Sequence, residues 1–166
     1  MEFPQIVSDL VKHQTFLDWS KKHPHHFLAH IFVTIVQDAA QDYQVGYYDL
    51  DSGQITSFAV SGSDVNELPP SEVLKDPDNP IKALDVEGIE FSTEDVLAKA
   101  HQVREEEYDD LGVVKVFLIV QHLGDLGNVF NVTFITPDLK TLNIKLSTSS
   151  GEVISHSLAS LIHQDK

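Results

Sequence analysis

Residues 113–158 contain the pattern that most constrains the fold, in which apolar and polar residues alternate in runs interrupted by turn sequences. Successive side chains of a strand point to opposite faces, so each alternating run predicts a strand with one apolar face. Because short turns join antiparallel neighbours, the segment predicts a meander of four antiparallel strands. The apolar sets are Val114, Val116, Leu118 and Val120, then Phe130, Val132 and Phe134, then Leu142, Ile144 and Leu146.

A helix is predicted directly before this meander, over residues 92–108. Ser92 is a suitable N-cap, and Glu94 and Asp95 follow it at the positive end of the helix dipole. A helix followed by antiparallel strands is an α+β arrangement, in which the helix packs on one face of the sheet. The apolar residues that recur at helical spacing are Val96, Leu97, Ala100 and Val103.

The meander and its closing turn resemble the PepSY domain family. The residues that carry the resemblance are Phe130-x-Val132-x-Phe134, Leu142-x-Ile144-x-Leu146 and Ser150-Gly151-Glu152-Val153-Ile154. Ser147 stands where the family usually has an aspartate, four residues before the turn glycine. The resemblance implies a cystatin-like fold and a non-catalytic role, in which the domain restrains a peptidase or binds another protein.

The first part of the chain repeats the same order of elements. A helix is predicted over residues 4–22 and a strand over residues 27–36. The alternation Tyr43-x-Val45-x-Tyr47 then leads into Asp49-Leu50-Asp51-Ser52-Gly53-Gln54-Ile55, which fits the family's D-x-x-[ST]-G-x-[VI] turn. The repeated order of elements and the shared turn pattern indicate an internal duplication.

We therefore predict an α+β protein of two tandem PepSY-like units, residues 1–60 and 92–166. Each unit is expected to pack its helix on one face of its own antiparallel meander, and the first unit to lack one hairpin. Residues 61–91 contain eight acidic residues and four prolines and are predicted to be a linker.

A group of histidines near residue 25 raises the question of a metal site. In the predicted strand, alternation places His26 and His30 on one face and Phe27 and Ile31 on the other. At ~3.3 Å per residue, His26 and His30 would lie about 13 Å apart, too far to bind one ion. The loop residues His23 and His25 would need a third ligand from elsewhere. We expect no metal site and no cofactor.

Composition excludes several classes of function. The net charge of −15 argues against nucleic acid and against anionic membrane surfaces, both of which bind clustered lysine and arginine. No apolar run approaches the ~20 residues that span a bilayer, and the first residues lack a signal-peptide pattern. If Met1 is the native start, a cytoplasmic protein is expected. The absence of cysteine excludes disulfides and thiolate chemistry.

No catalytic motif was found. The sequence has no G-x-S-x-G elbow, no H-E-x-x-H helix and no phosphate-binding loop, so we expect no enzyme activity. Two classes of function remain open. The first is a non-catalytic binding or regulatory module whose partner is another protein or a second copy of the chain. The second is a small-ligand or metal-binding protein that uses the pocket between helix and sheet, or the loop histidines.

The predicted binding residues are Phe117, Ile119, Val129 and Ile135. They fall on the nominally polar side of the meander, opposite the side that the helix covers. Several side chains of this size left in water would be costly, at roughly 1.5–3 kcal/mol each. We expect the first repeat or a second copy of the chain to cover them, with another protein as a further possibility.

Overall fold

The computed structural model describes residues 1–73 and 77–160 and has the predicted α+β architecture. Within this part of the chain, three α-helices pack on a single antiparallel sheet of ten strands. The helices are α1 (Phe3–Lys12), α2 (Gln14–Lys22) and α3 (Thr93–Glu107). The strands are β1 (His26–Val36), β2 (Ala39–Ala40), β3 (Tyr43–Asp49), β4 (Gln54–Ser61), β5 (Asp64–Glu67), β6 (Ser71–Glu72), β7 (Lys115–Leu123), β8 (Gly127–Ile135), β9 (Lys140–Ser147) and β10 (Val153–Ser160).

The sheet is continuous from one half of the chain to the other. Its strand order is β10-β9-β8-β7-β1-β3-β4-β5, with β2 paired to β1 and β6 paired to β4. The predicted meander forms β7 to β10, and β1 joins it by pairing antiparallel with β7 from His30↔Gln121 to Ile35↔Val116. The two halves therefore share one sheet.

The first half contains more sheet than the sequence suggested. Gly62 adopts a φ of 58° at the turn after β4, a conformation that glycine tolerates, and β5 folds back against β4. The first half thus has a fourth strand, which forms a hairpin with β4, whereas the sequence predicts that one hairpin is missing. Both β5 and β6 lie within residues 61–91, the expected linker. Residues 161–166, the end of the second predicted unit, lie outside the described residues.

The first predicted helix is interrupted at His13. This residue has φ −76° and ψ 141°, so α1 ends before it and α2 begins after it. Its ring Nδ1 accepts a hydrogen bond from the Thr15 N–H at 3.2 Å, which caps α2. Side-chain capping of this kind gives the backbone an alternative to a continuous helix.

All three helices contribute to one hydrophobic core on one face of the sheet. Phe16 and Trp19 of α2 contact Tyr47 and Phe58 of the first half. Phe3 of α1, however, lies 5.7 Å from Phe130 of β8, ring centre to ring centre. Besides packing on the first half, α1 thus reaches the sheet of the second half, because the continuous sheet lets the core cross between the halves.

A β-bulge changes which side chains of β1 face the core. The register against β3 shifts between Leu28 and His30, which inserts an extra residue at Ala29. As a result His26 packs on the core side against Tyr47, while His30 lies on the opposite side. The predicted grouping of His26 with His30 on one face is therefore wrong.

The bulge also leaves the His30 ring directly over Gly46. A methyl group at position 46 would lie 2.2 Å from Cε1 of His30. We expect Gly46→Ala to destabilise the protein by about 1–3 kcal/mol, as overpacking usually does. Urea unfolding of Gly46→Ala, His30→Ala and the double variant measures the coupling, because the second change removes the clash. An equal loss from Gly46→Ala in both backgrounds would contradict this packing.

Candidate functional site

The candidate site is the side of the sheet that faces away from the helices, which we call the outer face. In the register of β1, β7 and β8, Phe117 lies between Thr34 and Thr133, and Ile119 lies between Phe32 and Asn131. The rings of Phe32 and Phe117 stack with centres 5.8 Å apart. The apolar centre of the outer face consists of Phe32, Phe117, Ile119 and Ile135, and the polar residues beside it are Thr34, Asn131, Thr133, Asn143 and Lys145.

The structure places three of the four predicted binding residues where they can be contacted. Phe117, Ile119 and Ile135 are half-buried on the outer face. Val129 is also at an outward-facing position of the sheet, paired with Gln121 and Ser147, but its side chain is 0% exposed. Val129 is therefore unavailable to a partner in this conformation.

The first half of the chain borders this site and does not lie over its centre. Phe32 and Thr34 of β1 are in-plane neighbours of β7 in the same sheet. The buried side chains of the helices belong to the core on the other side. The expected contact with the first repeat is thus made side by side, and among the described residues none of the helices covers the outer face.

The outer face also differs from the rest of the chain in charge. Along the sheet from β4 through β3, β1, β7, β8 and β9 to β10, the outward-facing positions contain no aspartate or glutamate, although the chain has 26 acidic residues. The charged residues at these positions are Lys115 and Lys145. Asp64 of the edge strand β5, opposite Ser61, is at an outward-facing position. Lys115 Nζ lies 5.8 Å from the centre of the Phe117 ring. A neutral to weakly basic face on so acidic a protein is free of the repulsion that would oppose a close contact.

Polar side chains beside the apolar centre are held in fixed positions. The Asn143 amide donates to Oδ1 of Asn131 and, at 3.1 Å, to Oγ1 of Thr133. Lys145 Nζ donates to Oδ1 of Asn143 at 2.7 Å. This network gives the face an apolar centre with an ordered polar border, which is how protein interfaces are commonly built.

The turn between β3 and β4 contains a buried carboxylate. Asp49 accepts hydrogen bonds from the Ser52 hydroxyl at 2.8 Å and from the Asp51 N–H at 3.2 Å, and its Oδ2 lies 3.0 Å from Nδ1 of His23. Burial acts to raise the pKa of Asp49, but these hydrogen bonds outweigh it and hold the pKa below its ordinary value. Ser52 is thus engaged in the turn, and the arrangement is structural.

The loop histidines do not gather around one point. His23 pairs with Asp49, while His25 Nδ1 lies 3.0 Å from Oδ2 of the exposed Asp51. His26 lies on the core side against Phe16 and Trp19, where burial lowers its pKa. Over residues 1–73 and 77–160, no group of three or more histidine, aspartate or glutamate side chains is arranged to hold a metal ion.

Two clefts are relevant to the alternative of a small ligand. One, of about 470 Å³, lies between α1 and the β4–β5 turn, with Asp9 and Val65 on its walls. The other, of about 260 Å³, lies near the bulge between His30, Gln121 and residues 79–82. Both are open to solvent, whereas the space between the helices and the sheet is filled by the core.

Sequence reasoning missed two parts of the site. Phe32 joins the outer face because β1 pairs with β7, a contact between residues far apart in the sequence. Asn143 and Lys145 stand at alternating positions of β9, so their parity indicated this face, but their mutual hydrogen bonds left no signal in the sequence.

Comparison with known proteins gives information about the fold alone. No family model matches the chain, and no curated protein matches it. The chain is similar to the crystal structure of a putative lipoprotein from Clostridium difficile 630, with a TM-score of 0.53 and 14% sequence identity. The similarity covers 87% of this chain and 90% of that one. In the described part of the chain, no helix is both long and apolar enough to cross a bilayer.

Proposed function

We propose that the chain is a non-catalytic protein-binding module and that the outer face is its binding surface. The observation that carries the proposal is the half-buried pair Phe117 and Ile119, in the part of the outer face from β1 to β9 where no outward-facing position is acidic. A partly exposed apolar group with a polar border is typical of an interaction site. Antiparallel sheets tolerate one wet face, but a wet face is ordinarily polar at its centre.

A second copy of the chain is the partner that fits this face. Two identical faces with weak positive charge and apolar centres meet without the repulsion that other surfaces of a −15 protein would cause. The six strands from β3 to β10 in sheet order, ~4.8 Å apart and about 27 Å long, have a footprint of roughly 780 Å² at most. The end of this footprint near His30 and Gln121 is partly closed, because residues 79–82 line a cleft there and Val129 is fully buried. A standard stable interface buries about 800 Å² on each partner.

We also propose that the chain is a diverged tandem of PepSY-like units. Both halves have helix before meander, β1-β3-β4-β5 in one and β7-β8-β9-β10 in the other, and they meet where β1 pairs with β7. The resemblance of the second half to that family supports a role in binding or restraining another protein. Superposition of residues 4–60 on 92–158 in an experimental structure tests the duplication, which requires one helix and three strands to coincide.

The binding face is tested by adding a negative charge at its centre. We expect the wild-type chain to be a dimer by light scattering, and Phe117→Asp to be a monomer, because two carboxylates would be forced together in an apolar contact. Thr133→Asp adds the same charge on the neighbouring strand without removing a ring, and should also give a monomer.

The matched control is Leu50→Asp. Leu50 is 60% exposed and lies in the β3–β4 turn, away from the outer face. Its substitution adds the same charge and should leave the dimer intact. The choice of a second copy as partner would be contradicted if the wild-type chain stayed monomeric at concentrations on the order of 10⁻⁴ M.

A further inference from the structure

We propose that β10 is a second binding site, at which an extended basic segment of another protein adds a strand to the edge of the sheet. The proposal concerns residues 153–159, which we call the β10 edge. It does not depend on the outer-face interface, and either proposal can fail without the other.

The β10 edge lacks the features that protect most sheet edges. β10 is the last strand in the sheet order, and the strand with which it pairs is β9. All of its residues are exposed, including Val153, Ile154 and Leu158 at 38–42%. Residues 153–159 contain neither proline nor a lysine, arginine, aspartate or glutamate. Native edges are commonly blocked by such residues, so this strand is suited to pairing with another chain.

The opposite end of the sheet is protected. Its strand β5 has four residues, of which Asp64 and Glu67 are acidic and exposed. The neighbouring β6 has two residues and includes Glu72. Short, charged strands discourage edge pairing. The contrast between the two ends makes the β10 edge the one suited to an added strand.

The charge beside the β10 edge indicates what would bind there. The Tyr108 hydroxyl lies 2.8 Å from Nδ1 of His156, which fixes the C-terminal end of α3 next to β10. That end carries the negative pole of the helix dipole. Arg104 donates to the Leu111 carbonyl at 2.7 Å, and its ion pair with Glu105 is 3.8 Å long. The exposed acidic residues at this end are Glu105, Glu106, Glu107, Asp109 and Asp110.

These charges disfavour a second copy of the chain at this edge. Two β10 strands paired about a twofold axis perpendicular to the sheet would keep both α3 helices on the same side of the joined sheet. The two acidic helix ends, each next to its own His156, would then face each other across the junction. Like charges opposed across an interface repel each other and disfavour the pairing.

A basic extended segment meets both requirements. Alternate side chains of an added strand would point to the α3 side, where lysine or arginine would lie near the acidic helix end. The remaining side chains would lie beside Ser155, Ser157 and Ala159 on the outer-face side, where small neutral residues fit. The partner is therefore an extended stretch in which basic and small residues alternate.

The probe is the peptide (Lys-Thr)4, acetylated and amidated at its ends and labelled for fluorescence anisotropy. We expect it to bind the full chain at least tenfold more tightly than (Glu-Thr)4. Two further probes are N-methylated at alternate residues, one on each side of the peptide strand. Because N-methylation removes backbone donors, at least one of them should bind tenfold more weakly than the parent peptide.

Variants of the protein locate the site. The double variant Glu106→Lys/Glu107→Lys should weaken binding at least tenfold, because it reverses two charges at the C-terminal end of α3, which the Tyr108–His156 contact holds next to β10. The matched control Asp64→Lys/Glu67→Lys makes the same change at the opposite end of the sheet and should bind almost normally. In ¹⁵N-labelled protein the peptide should shift the amide signals of residues 153–159.

Three results would overturn the proposal. One is the absence of binding by (Lys-Thr)4 at low salt. Another is equal binding by the parent peptide and both N-methylated forms, which would show attraction by charge without strand pairing. The third is a concentration-dependent shift of residues 153–159 without peptide in the Phe117→Asp variant, whose outer face is blocked by the added charge. That result would show that a second copy of the chain occupies the edge.

Discussion

Replacing Phe130 by alanine is expected to lower the free energy of unfolding by about 3–5 kcal/mol, which is typical of a buried phenylalanine. Phe130 of β8 is 1% exposed and contacts Phe3 of α1 and Phe91, just before α3. Its removal would leave a cavity where both halves of the chain meet. Guanidinium unfolding followed by circular dichroism measures the loss.

The control for this change is Phe27→Ala. Phe27 is a half-buried phenylalanine that contacts Tyr48 on the side of the sheet away from the core. Its loss should cost clearly less than that of Phe130. Because the core is shared, we expect a single unfolding transition in each variant. Two separate transitions, with the Phe130 variant affecting one of them, would show that the halves fold as independent units.

Replacing Asp49 by alanine is expected to cost about 2–3 kcal/mol, since hydrogen bonds to a charged acceptor are worth roughly 1.5–3 kcal/mol. The change removes the acceptor for Ser52 and the Asp51 N–H and the partner of His23. The matched control is Asp51→Ala, in the same turn. The His25–Asp51 pair is 62–66% exposed, so its loss should change stability by less than about 1 kcal/mol.

The same carboxylate predicts a dependence of stability on pH. The pKa of Asp49 is lower in the folded chain than its ordinary value. Its contribution is therefore complete above the ordinary pKa of aspartate, about 3.9, and is lost as the pH falls through the lower, folded value. In Asp49→Asn, the free energy of unfolding should fall less steeply at acidic pH than in the wild type, as measured by urea unfolding at several pH values. An equally steep fall in both proteins would show that other titratable groups cause the dependence of stability on pH.

The parts of the fold that were predictable from the sequence are those with local signals. The helix after Ser92 has its capping box, with Ser92 and Asp95 bonded to each other's backbone N–H. The turn at Gly151, with a φ of 73°, was recognisable from its residues. Periodicity alone identified the alternation of β7, β8 and β9, and so placed Phe117 and Ile119 on the outer face.

The parts that could not be predicted depend on contacts between distant residues. Nothing local indicates that β1 pairs with β7, and this pairing brings Phe32 to the site and makes one sheet of two halves. The bulge at Ala29 adds a single residue to β1 and so turns His26 to the other face of the sheet. Sequence periodicity cannot detect such an insertion. Val129 has the right parity for the site, but parity carries no information about burial at the end of a strand.

Cross-linking can show whether two chains meet through their outer faces, as we propose. The chain has no cysteine, so Thr133→Cys places a single thiol on the outer face, and Leu50→Cys places one in the exposed β3–β4 turn. A short bis-maleimide should convert the Thr133→Cys protein to a covalent dimer at low micromolar concentration and leave the Leu50→Cys protein monomeric. Equal yields of covalent dimer from the two variants, or dimers from Leu50→Cys alone, would contradict a contact through the outer faces.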